Sequence, residues 1–330
     1  MRPATATLAL SGTGLLVAGV AVSLAVGSNP VPLGDVLAAL TDPAHPAAGI
    51  VVEQRVPRTV LAVLLGAALA AAGALMQSLT RNPLADPGIL GINAGAALAV
   101  VLAVSVTGVT GVWFYLWFAF AGAAAAAVVV HLLGAAGGFS TPGRLALAGV
   151  AISAAAGSLV QTVILADQAA LDEFRFWATG SLEGRRWEII AATGPFLAAG
   201  LVAGLVCAPA LNALALGDDA AASLGVRARE VRAGTMLAVT LLCGAATAAA
   251  GPIGFVGLGV PFLVRALVGP DLRRVLGWSL VAGPALMLFA DTAGRLVGGG
   301  RAELGVGVVT ALLGAPVFVA LVRRRTAVGV

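Results

Sequence analysis

Ten apolar runs, most of them close to the length that crosses a bilayer, follow one another along a chain of 330 residues. They fall at about 8–27, 58–79, 90–107, 112–135, 143–165, 189–208, 233–251, 254–268, 275–293 and 304–322. A hydrocarbon core takes about 20 apolar residues per helix. Backbone inside lipid must satisfy its own hydrogen bonds, and an apolar run of that length does so as a helix. Only 10% of the residues are charged, where a soluble domain keeps roughly a quarter. A large soluble core would need polar faces at helical spacing, and these runs show few. The chain therefore reads as an all-α polytopic membrane protein, one domain over 1–330, with about ten transmembrane helices.

Orientation follows from the basic residues, all 19 of which are arginine. An even number of spans puts both termini on one side. With the termini cytoplasmic, twelve arginines and five acids lie inside, against seven arginines and ten acids outside. The inner face is then about +7 and the outer about −3, as the positive-inside rule requires. Seven external arginines are still many for a surface that only has to be soluble. The first run follows a single basic residue, Arg2, and nine more runs come after it, so it is expected to stay as an uncleaved helix. The lysine-free, Ala/Gly/Val-rich composition suggests a GC-rich bacterial genome.

Several chemistries are excluded. A nucleotide-hydrolysing P-loop needs a lysine to reach the β- and γ-phosphates, so any ATP that drives this chain binds on another subunit. The spans hold no mid-depth Asp, Glu or His chain, which argues against an ion-coupled secondary carrier. No HExxH or GxSxG motif occurs, and serines such as Ser153 and Ser158 have no nearby base, so no catalytic centre is legible. Cys207 and Cys243 lie in separate apolar runs, and His45 and His131 in different segments, which suggests neither a disulfide nor a metal site.

Small residues punctuate the runs. The octets GAALAAAG (66–73) and GAATAAAG (244–251) differ at one position and sit on helices of opposite direction, as an inverted repeat would require. Five segments between or at the ends of the runs stand out. RVPR (55–58) and NPLADPG (82–88) bracket the second run. LGDDAAASLGV (216–226) is a short amphipathic helix candidate with acids in its first turn and Gly225 as C-cap. External segment 168–188 mixes charges with aromatics, and GPIGFVGLGVPFLVR (251–265) opens a span with four glycines and two prolines. Backbone broken in that way is tolerated where it is buried in protein or lines a cavity.

In this order, RVPR, NPLADPG, RFWATGSL (175–182), LGDDAAASLGV, GPIGFVGLGVPFLVR and ELGVGVVTALLGAP (303–316) resemble the FecCD family over nearly the whole chain. These are permease subunits of binding-protein-dependent ABC importers for iron-siderophores, haem and vitamin B12. The resemblance implies a type II ABC importer permease fold in a bacterial cytoplasmic (inner) membrane. It implies alternating access driven by ATP and Mg held on a partner ATPase dimer, with no cofactor, metal or catalytic residue in this chain and no nucleic-acid partner. A second permease copy or a paralogue, an extracytoplasmic substrate-binding protein and membrane lipid are the other expected partners. Arg55, Arg58 and Arg295 match positions that meet acidic residues of the binding protein, which suits exposed arginines on an acidic face. Reversal of Arg55 and Arg58 to Glu is expected to weaken docking and leave folding intact. Asp218, Asp219, Ala221, Leu224 and Gly225 match the coupling helix that seats in the ATPase. Asn82, Leu84 and Thr141 match gate positions along the pathway. RFWATGSL looks like the iron-siderophore branch, with haem or vitamin B12 as the alternative. Many relatives carry Pro where Gly305 follows Leu304, a departure expected to loosen the start of the last helix.

Overall fold

The computed structural model describes residues 3–135, 142–297 and 303–328, all of them helix, turn or irregular chain. Fourteen α-helices occur among them. They are α1 (Pro3–Ala25), α2 (Leu33–Thr41), α3 (Ala48–Ile50), α4 (Val56–Thr80), α5 (Ile92–Thr107), α6 (Val112–Ala135) and α7 (Pro142–Ala166). The remainder are α8 (Gln168–Ala178), α9 (Trp187–Leu214), α10 (Asp218–Ser223), α11 (Ala228–Ala250), α12 (Val256–Val268), α13 (Leu272–Val297) and α14 (Val306–Val328). Each of the ten apolar runs coincides with one of the long helices.

Six helical stretches are both long and apolar enough to cross a bilayer: Ala48–Leu79, Val112–Gly134, Gly143–Ala166, Trp187–Leu214, Ala228–Ala250 and Leu272–Val297. Ser11–Ala25, Ile92–Thr107, Val256–Val268 and Val306–Pro316 are apolar but shorter. The chain is therefore a multi-pass membrane protein.

The second run begins earlier than Pro57 suggests. Ala48–Ile50 continues through a π turn at Val51–Arg55 straight into α4. Proline lacks an N–H and crowds the carbonyl four residues back, and the wider π turn relieves both effects without ending the helix.

Helices α4 and α11 form the centre. In their apolar windows 78% and 72% of residues are buried, against 22% in α7, which lies at the periphery. Such enclosure requires backbones to touch, because lipid gives packed helices no hydrophobic drive. A Cβ on Gly66 would lie 2.7 Å from the Gly283 carbonyl and 2.7 Å from the Pro284 backbone, so α4 meets α13 main chain to main chain. One on Gly73 would overlap the Gly257 carbonyl, which brings α4 equally close to α12. The matching octet on α11 is used differently. A Cβ on Gly244 would find only ordinary contacts, 3.5 Å from the Ala123 side chain.

Candidate functional site

The candidate residues that the structure describes gather at the two ends of the bundle. At the end that carries α2 and α8, three arginines point inward. Arg55 Nη1 donates to the carbonyls of Leu24 (2.7 Å) and Ala25 (2.9 Å), and Nη2 donates to that of Asn29. Arg295 Nη1 donates to the Ser23 (2.9 Å) and Val26 (2.8 Å) carbonyls. The last carbonyls of a helix have no partner within it and carry its negative pole. Arg55 and Arg295 together therefore clasp the C-terminus of α1.

Arg58 is bidentate to Asp291, Nε to Oδ2 at 3.0 Å and Nη2 to Oδ1 at 2.8 Å, and its Nη1 meets Glu303 at 2.7 Å. Asp291 also pairs with Arg295, one turn on, at 3.2 Å. Arg55, Asp291 and Arg295 are 7%, 2% and 4% exposed, which corrects the expectation of exposed docking arginines. Carbonyls and a carboxylate of the same chain already occupy them. Asp291 and Glu303 are the functional neighbours that sequence reasoning missed, although the i, i+4 spacing of Asp291 and Arg295 was a legible signal. Above this network lies a basin of about 410 Å³ whose lining includes Glu53, Arg58, Glu183, Arg185, Arg186 and Glu303. Arg186 is exposed and Arg185 buried. Burial pushes the Glu173 carboxyl up, with the Arg185 guanidinium pulling the other way.

Beneath the basin three distant segments join largely through main chain, with Thr310 Oγ1 also donating to the Gly254 carbonyl at 3.1 Å. Ser181 N–H donates to the Ala250 carbonyl at 2.8 Å, and Gly307 N–H donates to that of Gly180 at 3.1 Å. A Cβ on Gly251 would overlap the Trp177 carbonyl, and one on Gly305 would lie 2.6 Å from the Thr179 carbonyl. Gly305 thus fits a close approach of the start of α14 to Thr179 that a β-carbon would crowd. Past the junction the chain runs unwound from Gly251 to Phe255, whose φ of 75° is rare for a residue with a side chain. Gln77 Nε2 donates to the Leu258 carbonyl at 3.0 Å, holding the start of α12 against α4.

At the opposite end α10 stands between two glycines of positive φ, Gly217 at 114° and Gly225 at 78°, each with open space where a Cβ would be. Conformation, and not crowding, explains them. Arg81 caps α4 in the left-handed region (φ 51°) and donates through Nη2 to the Leu214 carbonyl at 2.6 Å and to Asp218 Oδ1 at 2.7 Å. Arg232 Nη2 donates to Asp218 Oδ2 at 2.7 Å. The Arg232 hydrogen bond, seconded by Arg81, holds the Asp218 carboxyl below its usual range. The Asn212 amide does the same for Asp271, which it meets at 2.7 Å.

Asp219, Leu224 and Gly225 are exposed. Ala221 is 0% exposed and faces the core, so it seats α10 on its own chain and has no surface for a partner. Asn82 and Leu84 lie exposed in the turn after α4, where Asn82 Oδ1 accepts from Leu84 N–H at 2.9 Å. Thr141 lies outside the described residues.

The model of the FecCD transport family matches residues 15–324, which takes in both ends of the bundle. The chain belongs to the FecCD family. Among its FecCD relatives is the ferric enterobactin transport system permease protein of Escherichia coli (strain K12), 46% identical over 315 residues, covering 94% of this chain and 93% of that one. The Fe(3+)-citrate import system permease protein of Bacillus subtilis (strain 168) is 38% identical, over 94% and 92% of the two chains. The hemin transport system permease protein of Yersinia pestis is 40% identical, over 82% of each. Among solved structures, an inward-facing conformation of a metal-chelate type ABC transporter superposes with a TM-score of 0.84 at 28% identity, covering 96% of this chain and 99% of its own. This FecCD protein is thus a transport subunit of the importer-permease kind.

Proposed function

We propose that this chain is the transmembrane permease subunit of an ABC importer that carries an iron-siderophore complex across a bacterial cytoplasmic membrane. Hydrolysis of ATP on two partner ATPase subunits drives it, and an extracytoplasmic binding protein feeds it. The observation that carries this reading is the full-length 46% identity to a ferric enterobactin permease. The ten apolar helices cross the membrane ten times, with both termini and α10 cytoplasmic. The end bearing α2, α8 and the basin is extracytoplasmic, and the binding protein docks there. Arg55, Arg58 and Arg295 serve docking by fixing that surface, and Arg58 and Arg186 face the docked protein from the basin. On the inner side Asp219, Leu224 and Gly225 present α10 to the ATPase, while Asn82, Leu84 and Thr141 lie at the inner mouth of the pathway. Exposed apolar side chains around α7 (Leu147, Val150, Leu159) meet lipid or a second permease.

Similarity to a hemin permease supports haem as the second reading. Vesicles reconstituted with this chain, its ATPase and its binding protein test both. Uptake of a ferric siderophore that requires ATP and the binding protein is the expected result. Uptake of haem alone would move the substrate, and uptake driven by an ion gradient without ATP would overturn the proposal.

A further inference from the structure

We propose that Asp218 is the joint that conveys displacement of α10 to both central helices, a positioning residue whose two carboxylate oxygens are taken up by arginines of this chain although its side chain is half exposed, and not a contact with the ATPase. The inference rests on α10 being the element that the ATPase moves. Four helix ends converge on this carboxylate. Arg81 brings the C-terminus of α4, and the same guanidinium holds the last carbonyl of α9. Asp218 itself opens α10, and Arg232 stands in the second turn of α11. Arg81 at two C-termini and Asp218 at an N-terminus suit the poles they meet, whereas Arg232, near the N-terminus of α11, is matched by the Asp218 carboxylate itself.

The backbone alone would not make this connection. α10 is joined to α9 and α11 through Gly217 and Gly225, whose positive φ turns the chain at either end. α4 has no short covalent path to α10, since Arg81 and Asp218 are 137 residues apart. With Oδ1 on Arg81 and Oδ2 on Arg232, one carboxylate couples α10 to α4 and α11 at once. Both arginines are strong, directional donors to a carboxylate. Buried Ala221 fixes the seat of the helix, and Asp218 fixes what its movement pulls on.

The test uses the whole importer in vesicles and reads substrate transported per ATP hydrolysed. Asp218→Asn keeps the shape and removes the charge; Asp218→Glu keeps the charge. Glu230→Gln, which breaks an exposed pair with Arg227 on the same face, is the control. Asp218→Asn is expected to lower transport per ATP about five-fold or more, the low end of ordinary intersite coupling. Asp218→Glu should recover most of that loss, and Arg232→Gln combined with Asp218→Asn should be no worse than Asp218→Asn alone, because the Arg232 guanidinium bonds Asp218. Spin labels on the ends of α4 and α11 nearest α10 should lose most of their ATP-dependent distance change in Asp218→Asn.

Wild-type coupling in Asp218→Asn would overturn the joint, as would an equal loss in Glu230→Gln. Failure of Asp218→Asn to assemble with the ATPase would also overturn it, by making Asp218 a contact residue. Wild-type vesicles without any ATP-driven uptake would instead sink the permease reading itself.

Discussion

Reversing Arg58 to Glu separates a docking arginine from one that holds the fold. If Arg58 served only an external partner, its reversal would change stability by no more than an exposed ion pair does, about 0–1 kcal/mol. The structure gives it two acids of its own, Asp291 at 2% exposure and Glu303 at 23%. Removing one partner of a buried pair costs about 3–5 kcal/mol. Asp291 keeps Arg295, which argues for the lower figure, but the new carboxylate sits between two existing ones and restores the upper. At roughly 2.1 cal/mol/K of unfolding entropy per residue, a chain of 330 residues should unfold about 4–7 °C lower. Cys243 is a buried free thiol, so in a Cys207→Ser background a thiol-reactive fluorophore reports unfolding of the detergent-purified protein. Arg186→Glu, at an exposed neighbour, should leave the midpoint where it was. An Arg58→Glu midpoint within about 1 °C of wild type would refute the reasoning and return Arg58 to the status of a surface charge.

Other consequences can be checked in the same assay. Gly73→Ala drives a methyl group into the Gly257 carbonyl and should cost about 1–3 kcal/mol, whereas Gly244→Ala, with its nearest contact at 3.5 Å, should be neutral. Gly305→Ala presses on the Thr179 carbonyl and should lower the midpoint by a comparable amount. Asp218 titrates below its usual range, so its contribution is complete above the unfolded value near 3.8 and disappears only as pH falls through the depressed folded value. Transport per ATP should therefore show no titration attributable to Asp218 between about pH 5 and 8; a carboxylate-like step in that interval, absent from Asp218→Asn, would contradict the paired geometry.

The sequence made the helices legible because their signal is composition over a window of bilayer length, and each apolar run became a helix. It failed where the signal is a direction. Arg55 and Arg58 are spaced one turn apart at the rim of a span, and nothing in that spacing says whether they face water or the carbonyls of α1. The partner of Arg58, Asp291, is 233 residues away. α2 and α8 are short and half-buried, so neither yields a long apolar run, and Pro57 read as a boundary because the π turn that absorbs it has no sequence signature. Ala221 illustrates the converse: its motif was legible, and its inward face was not. Thr141 lies outside the described residues.

The main-chain seam among Gly180, Gly251 and Gly307 draws its cohesion from groups that every amino acid shares. Residues bordering it can be exchanged to suit a different cargo without loosening the stitch, provided nothing with a β-carbon replaces the glycines. A scaffold fastened by amides in this way puts its steric demand on the three residues that have no side chain.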